Sequence, residues 1–387
     1  DDLEVTLRLL DDDGQEWGLG SKSLVDIDRD TYWDAEGHER AVLVPTSQWP
    51  LYETTIGNYE LPVTAGTPPG VYRAVARVHR KGEWTGLAAH DADGSVGYDV
   101  TLGEVQVSGA SQEAAPPADL AQVLNAELAG GLKVVGSSGA LQARPGDRLS
   151  LALLWEVGDV ERATDEAMLW ADGPERYALY HGALLGPNAR PGWVAAPARL
   201  CTQYAFRLPP EAPAGTYTLT LDVAGSKAEV GTVQVGSIQR SFEVPAMQHQ
   251  SGARVDSVAR LLGYDHRGET VAPGAEVLVT LYWQCTKPAE AAYTVFVHLL
   301  DAQERVWAQH DGQPANGESP TTSWVAGQVV PDVHAMTLPA DAPDGEYLIE
   351  VGLYDPETGI RAPLYDAAGA RLSSDRLILG TLPVMRP

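Results

Sequence analysis

Arg144-Pro145-Gly146-Asp147-Arg148 leads into Leu149-Ser150-Leu151-Ala152-Leu153-Leu154-Trp155. Ala272-Pro273-Gly274-Ala275-Glu276 leads in the same way into Val277-Leu278-Val279-Thr280-Leu281-Tyr282-Trp283, and the offset is 128 residues at the Pro, the Gly and the Trp. Pro-Gly is a turn signal, and each run after it alternates with period two. Leu149, Leu151, Leu153, Trp155 and Val157 fall on one face of the first run. Val277, Val279, Leu281, Trp283 and Cys285 fall on one face of the second. Both read as strands with one face on a core. Trp155 and Trp283 therefore read as core side chains, and Cys285 as a buried thiol.

The same punctuation continues outward. Leu208-Pro209 with Gly215 and Tyr217 recurs as Leu338-Pro339 with Gly345 and Tyr347, at an offset of 130. A third copy, Leu61-Pro62 with Gly70 and Tyr72, has a spacer two residues longer. Each copy closes on an apolar strand after a glycine: Gly103 to Val107, Gly231 to Val235, and Gly380 to Val384. No long segment shows a 3.6-residue period. The best helix candidate, Asp119 to Leu128, reads equally as a lead into the first strand of a repeat. The fold class is all-β: tandem antiparallel β-sandwich repeats of immunoglobulin-like or jelly-roll-like kind. The boundaries fall at 1–108, 119–244 and 252–387, joined by linkers 109–118 and 245–251.

The first repeat is short at its amino end. Leu9-Leu10-Asp11 and Trp17 align with Leu299-Leu300-Asp301 and Trp307 at an offset of 290, yet no Pro-Gly turn or Trp-bearing strand precedes them. A sandwich missing two strands exposes backbone edges and core. The expected partner is thus an upstream part of the same polypeptide, or a neighbouring subunit that donates strands.

The charge balance narrows the partners further. Asp plus Glu number 53 against 27 Lys plus Arg, a formal charge of −26. A nucleic-acid binder needs basic surface, so that class is excluded. No apolar run approaches the ~18 residues of a membrane-spanning helix, so no membrane insertion by these residues is expected. Two cysteines, Cys201 and Cys285, give no disulfide framework.

The third repeat carries Leu261-Leu262-Gly263-Tyr264-Asp265, Tyr293 to Leu299, Asp311-Gly312-Gln313-Pro314, Pro320-Thr321-Thr322-Ser323-Trp324 and Asp341 to Tyr347. This string resembles the C-terminal, extracytoplasmic β-sandwich modules of Chloroflexi-type membrane proteins, often glycosyltransferase-like. The resemblance is fullest over 252–387, lesser over 119–244 and least over 1–108. The second repeat departs from it, keeping only Pro191-Gly192-Trp193 of the Pro-Thr-x-x-Trp run. The resemblance implies the sandwich fold and an extracellular or cell-surface location, and carries over no catalytic or binding residue.

Three chemistries stand beside plainer readings. Asp26-Ile27-Asp28-Arg29-Asp30 has the alternating carboxylates that open a calcium loop, making Asp26, Asp28 and Asp30 the metal candidates for Ca²⁺. The match then fails at Thr31 and Gly37, and a solvated acidic face is the plainer reading. For glycan, Trp49 and Trp84 lack repeat partners and are the ligand candidates, whereas Trp193 and Trp324 recur and read as structural plugs. For hydrolysis, no nucleophile elbow or zinc-protease motif occurs. His310 and Asp311 are adjacent, so on a strand they point to opposite faces. The expectation is no enzyme, with Ca²⁺ as the one cofactor candidate. The expected role is a non-catalytic spacer, adhesive or subunit-contact array of a larger surface protein. The alternatives are a carbohydrate-binding accessory region of a glycosyltransferase or glycosidase, and a self-assembling surface-layer or filament subunit using strand donation.

Overall fold

The computed structural model describes residues 2–33, 39–48, 59–81, 86–90, 96–108, 120, 122–128, 131–158, 165–194 and 197–386. The chain is all-β and built of packed sheets, antiparallel but for the parallel pairing of Gly139–Ala143 with Gly231–Val235, consistent with tandem sandwiches. Among the described residues no helix is long and apolar enough to cross a membrane. The chain divides into two compact units. One joins Asp1–Ala143, Arg148–Arg207 and Gly215–Val235; the other joins Arg144–Asp147, Leu208–Ala214 and Gly236–Pro387.

The first unit holds strands β1 (Leu3–Leu10), β2 (Glu16–Ser23), β3 (Val25–Trp33), β4 (Glu39–Pro45), β5 (Gly70–Arg80), β6 (Ala89–His90), β7 (Val96–Gly97) and β8 (Asp99–Val107). It continues with β9 (Gln122–Leu128), β10 (Leu132–Ser137), β11 (Gly139–Ala143), β12 (Arg148–Val157), β13 (Glu166–Asp172), β14 (Arg176–Ala183), β15 (Ala198–Arg207), β16 (Gly215–Val223) and β17 (Ser226–Val235). The sheets run β2-β1-β5-β8, β15-β12-β10-β9 and β11-β17-β16-β13-β14, with β3-β4 and β6-β7 as separate ladders. The helix candidate from Asp119 is overturned: Gln122–Leu128 pairs antiparallel with β10, because its apolar residues have a sheet edge to join.

β12 buries Leu151, Leu153 and Trp155 on its inner face, as its alternation predicts. Leu154 faces the other way, and Cys201 lies directly opposite it on β15. This outer pair is buried too, in one cluster with Leu9, Trp17 and Tyr72 of the first sheet. The first sheet therefore rests its core face on the outside of the second repeat's sheet, and the unit is three sheets deep at this point. Polar stitching fixes the arrangement. The Cys201 amide donates to the Gly66 carbonyl at 2.8 Å, and the Arg190 amide to the Pro69 carbonyl at 2.7 Å. Asn188 accepts from the Asp12 amide at 2.7 Å and donates to the Val71 carbonyl at 2.5 Å. A Cβ on Gly70 would stand 2.2 Å from the Asn188 carbonyl oxygen, so only glycine permits this approach.

The second unit holds β18 (His249–Gln250), β19 (Arg254–Val255), β20 (Ala259–His266), β21 (Glu276–Cys285), β22 (Thr294–Leu300), β23 (Val306–Gly312), β24 (Val329–Thr337), β25 (Gly345–Tyr354), β26 (Leu364–Tyr365) and β27 (Leu377–Val384). Its sheets run β24-β21-β20-β19-β26 and β23-β22-β25-β27, with β18 pairing β20 inside the expected linker 245–251. Val277, Val279, Leu281, Trp283 and Cys285 point into one core with Val295, Val297, Leu299, Ile349 and Leu353.

The punctuation read from sequence has physical causes here. Gly146 and Gly274 adopt φ of 86° and 85° after their prolines. A type II turn demands that conformation at its third residue, and the i to i+3 bonds close at 3.1 Å in both. Gly70, Gly215 and Gly345 each open a strand two residues before a fully buried tyrosine. The Tyr72 and Tyr347 hydroxyls donate back to the Pro68 and Pro343 carbonyls at 2.8 and 3.1 Å. Gly103, Gly231 and Gly380 each sit at the register shift where the closing strand bulges against its partner. The hairpins at Asp11 and Asp301 match bond for bond. Asp11 accepts the amides of Asp13 and Gln15 and the Trp17 indole N–H at 2.9 Å. Asp301 accepts those of Gln303 and Arg305 and the Trp307 indole N–H at 2.7 Å.

Candidate functional site

The residues singled out in the sequence do not assemble into one site. Trp49 and Trp84 lie outside the described residues. Asp26, Asp28 and Asp30 lie on β3, whose pairing with β4 shifts register between Ile27 and Thr31; their side chains are outside the described set. Among the described residues no group of three or more His, Cys, Asp or Glu side chains is placed to hold a metal ion. Trp324 is the structural plug expected, fully buried and donating to the Ser319 carbonyl at 2.8 Å. Trp193 is not: it is 41 % exposed on a short turn, since nothing beyond its Pro-Gly-Trp triplet carries it inward. Cys201 and Cys285 are buried and form no disulfide, and burial pushes the Cys285 thiol up to about 11, away from thiolate chemistry.

The densest chemistry lies in the second unit. On β22, Val295, Val297 and Leu299 point inward, which puts Phe296 and His298 on the outer face. Gly352 lies opposite Phe296 and Glu350 opposite His298 on β25. The Phe296 ring covers Gly352, and the Arg361 guanidinium stacks 4.5 Å from its centroid. Glu350 is almost fully buried beneath this roof. One of its oxygens meets His298 Nδ1 at 3.1 Å, and the other meets Arg376 at 3.3 Å. Arg376 also pairs with Glu304 at 2.9 Å. His298 Nε2 stands 3.4 Å from the Asp311 carboxylate, which accepts the Tyr354 hydroxyl at 3.3 Å.

Burial alone would lower the His298 pKa. Hydrogen bonds and charge from Asp311 and Glu350 outweigh it and raise it to about 9, so the ring is a cation at neutral pH. Burial likewise favours neutral Glu350, but His298 and Arg376 hold its carboxyl below the usual range. Every member of this cluster has its charge engaged by another member. Chemically it is a clamp that fastens the 355–376 excursion to the sheet, with no carboxylate left poised for acid–base work.

A second polar group sits inside the same sandwich, at the corner between β23 and β24. Asp332 and His334 occupy inward positions of β24 and are fully buried, with His334 Nε2 2.9 Å from the carboxylate. His310 comes from β23, its Nδ1 2.9 Å from His334 Nδ1. His310 and Asp311 do point to opposite faces, His310 inward and Asp311 toward His298. Sequence reading missed Asp332 and His334. The available signal was their placement in the inward register of an alternating run, between Val330 and Met336.

A scan of protein-family models and a search of curated proteins each returned no match to this chain.

Proposed function

We propose that the chain is a non-catalytic structural and interaction array of a cell-surface or extracytoplasmic protein, serving as spacer, adhesive element or subunit contact. The observation that carries this reading is the seat of the first sheet on Leu154 and Cys201 of the second repeat. A sheet closed on the outside of its neighbour cannot swing away without exposing Leu9, Trp17 and Tyr72. Burial of each such side chain is worth about 1.5–3 kcal/mol. The first two repeats, seated in this way, hold a fixed spacing, which suits a mechanical role. The formal charge of −26 supports a surface that repels its own copies at low salt. The outer location rests on the resemblance of residues 252–387.

The subunit-contact version has an observation of its own. β8 ends its sheet, and on it Val100 is 46 % and Leu102 59 % exposed. An edge strand with exposed apolar residues fits a strand supplied by an upstream segment or a neighbouring subunit.

The test is glycan-array binding by the whole chain, run beside sedimentation velocity. The spacer reading expects no saturable glycan binding. Saturable binding that is lost in Trp49→Ala or Trp84→Ala overturns it in favour of a carbohydrate-binding accessory region.

A further inference from the structure

The corner of the second unit has a counterpart in the first. The Trp155 indole N–H donates to the Thr202 hydroxyl at 2.9 Å. Tyr204 donates to the Leu184 carbonyl at 2.7 Å, and its ring lies 4.8 Å from that of Tyr180. At the matching positions of the third repeat stand Trp283, Asp332, His334 and His310. Thr202, Tyr204 and Tyr180 precede Asp332, His334 and His310 by the same 130 residues that separate Leu208-Pro209 from Leu338-Pro339. One corner is therefore closed by neutral hydroxyls and rings, the other by a carboxylate and two imidazoles. Closing this corner does not require groups that titrate near neutrality, because the second repeat does it with threonine and tyrosine.

The hydrogen bonds determine where the protons sit. Asp332 accepts the Ala315 amide at 2.9 Å on one oxygen. The other oxygen faces the Trp283 indole N–H at 3.3 Å and His334 Nε2 at 2.9 Å. A carboxylate surrounded by donors fixes the proton of His334 on Nε2, leaving Nδ1 as acceptor. The 2.9 Å gap to His310 Nδ1 holds one proton, so neutral His310 donates from Nδ1 and keeps a bare Nε2. A first added proton enters at His310 Nε2 and leaves every bond intact. A second would set two N–H groups against each other across 2.9 Å, with no lone pair between them.

We infer that His310, His334 and Asp332 form an acid-sensitive latch joining the edges of the two sheets, closed at neutral pH and opened when the pair takes up its second added proton. Opening also releases the turn between β23 and β24. Ala315 and Asn316 there adopt φ of 54° and 53°, left-handed conformations that are costly for non-glycine residues. The Ala315 amide bond to Asp332 helps hold them so. The groups that face His310 are His334 and Asp332 from β24 and, opposite it on β22, the uncharged Val297. Beyond them are Trp283 from β21 and the Ala315 amide from the turn; Asp311, its strand neighbour, lies on the other face.

Burial lowers the His310 pKa, and a charge on His334 lowers it further once that ring is protonated, against the opposing pull of Asp332 and Asp311. The sign follows. A histidine with a depressed folded pKa contributes its stability above the ordinary value near 6.5 and loses it as pH falls.

The test uses the full chain. Hydrogen exchange is followed at the Ala315 amide from pH 7 to pH 5, with intrinsic rates divided out. Imidazole ¹⁵N spectra are recorded over the same range. The latch predicts at least a tenfold loss of protection at Ala315, with no such loss along the β12–β15 ladder that carries Thr202. It also predicts that the double variant His310→Tyr/His334→Tyr, which puts the second repeat's tyrosines at both histidine positions, is flat over this range. Should that variant not fold, the wild-type spectra decide: a His334 Nδ1 resonance that changes over the same pH range as the protection at Ala315 supports the latch. Unchanged protection at Ala315, or protection lost while His334 Nδ1 does not change, overturns it.

Discussion

Leu154 and Cys201 face each other across the β12–β15 ladder, and both turn their side chains away from their own sandwich onto Leu9, Trp17 and Tyr72. The pair thus serves as the second wall of the first repeat's core. Replacing Leu154 by Asp puts an unpaired charge into that wall, a change that costs about 3–5 kcal/mol. The expected result is a separate, earlier transition in urea, read by the fluorescence of Trp17. A single transition at the wild-type midpoint would show that the contact carries no weight.

Asp11 offers a second probe of the same repeat. It gathers two amides and the buried Trp17 indole, so Asp11→Ala strands three donors at once. The loss expected is about 2 kcal/mol, and Asp11→Asn, which keeps an acceptor oxygen, recovers part of it. Chemical denaturation of the three proteins at neutral pH makes the comparison.

Tyr72 and Tyr347, two residues into the fifth and twenty-fifth strands, each donate a hydroxyl hydrogen bond to the carbonyl four residues back. Tyr72→Phe and Tyr347→Phe should each cost about 1 kcal/mol, without any shift in the secondary-structure spectrum. Thermal melts by circular dichroism check this.

His298 sets a pH window opposite in sign to that of His310. Its folded pKa, about 9, lies above the unfolded value near 6.5. Its contribution is therefore complete below about 6.5 and is lost as pH rises through 9. The loss amounts to about 3 kcal/mol, and His298→Gln should remove this dependence. The difference between urea midpoints at pH 7 and pH 10, in wild type and variant, gives the measurement.

Much of the fold is legible because its signals are local. Pro145-Gly146 and Pro273-Gly274 specify a turn by their own backbone preferences, and the period-two runs after them place Trp155 and Trp283 inside. The glycines before the three closing strands are bulge positions, again a local demand. The seat of the first sheet is not local. Leu154 lies on the outward register of its strand, where an apolar residue reads as surface, and its partners in the first sheet stand more than eighty residues away. Trp193 failed for a related reason: three matching residues repeat a turn, but burial comes from what packs on the turn. Asp332 and His334 were hidden because a carboxylate in an inward register makes sense only once Trp283, Ala315 and His310 are known to surround it.

Native-state hydrogen exchange across a denaturant series tests the central claim most directly, by comparing the amides of the first strand with those of the strand that bears Leu154. The account predicts that both sets converge on one opening free energy and that Leu154→Asp lowers the first set preferentially. First-strand amides that open at their own lower free energy, indifferent to Leu154→Asp, would contradict it.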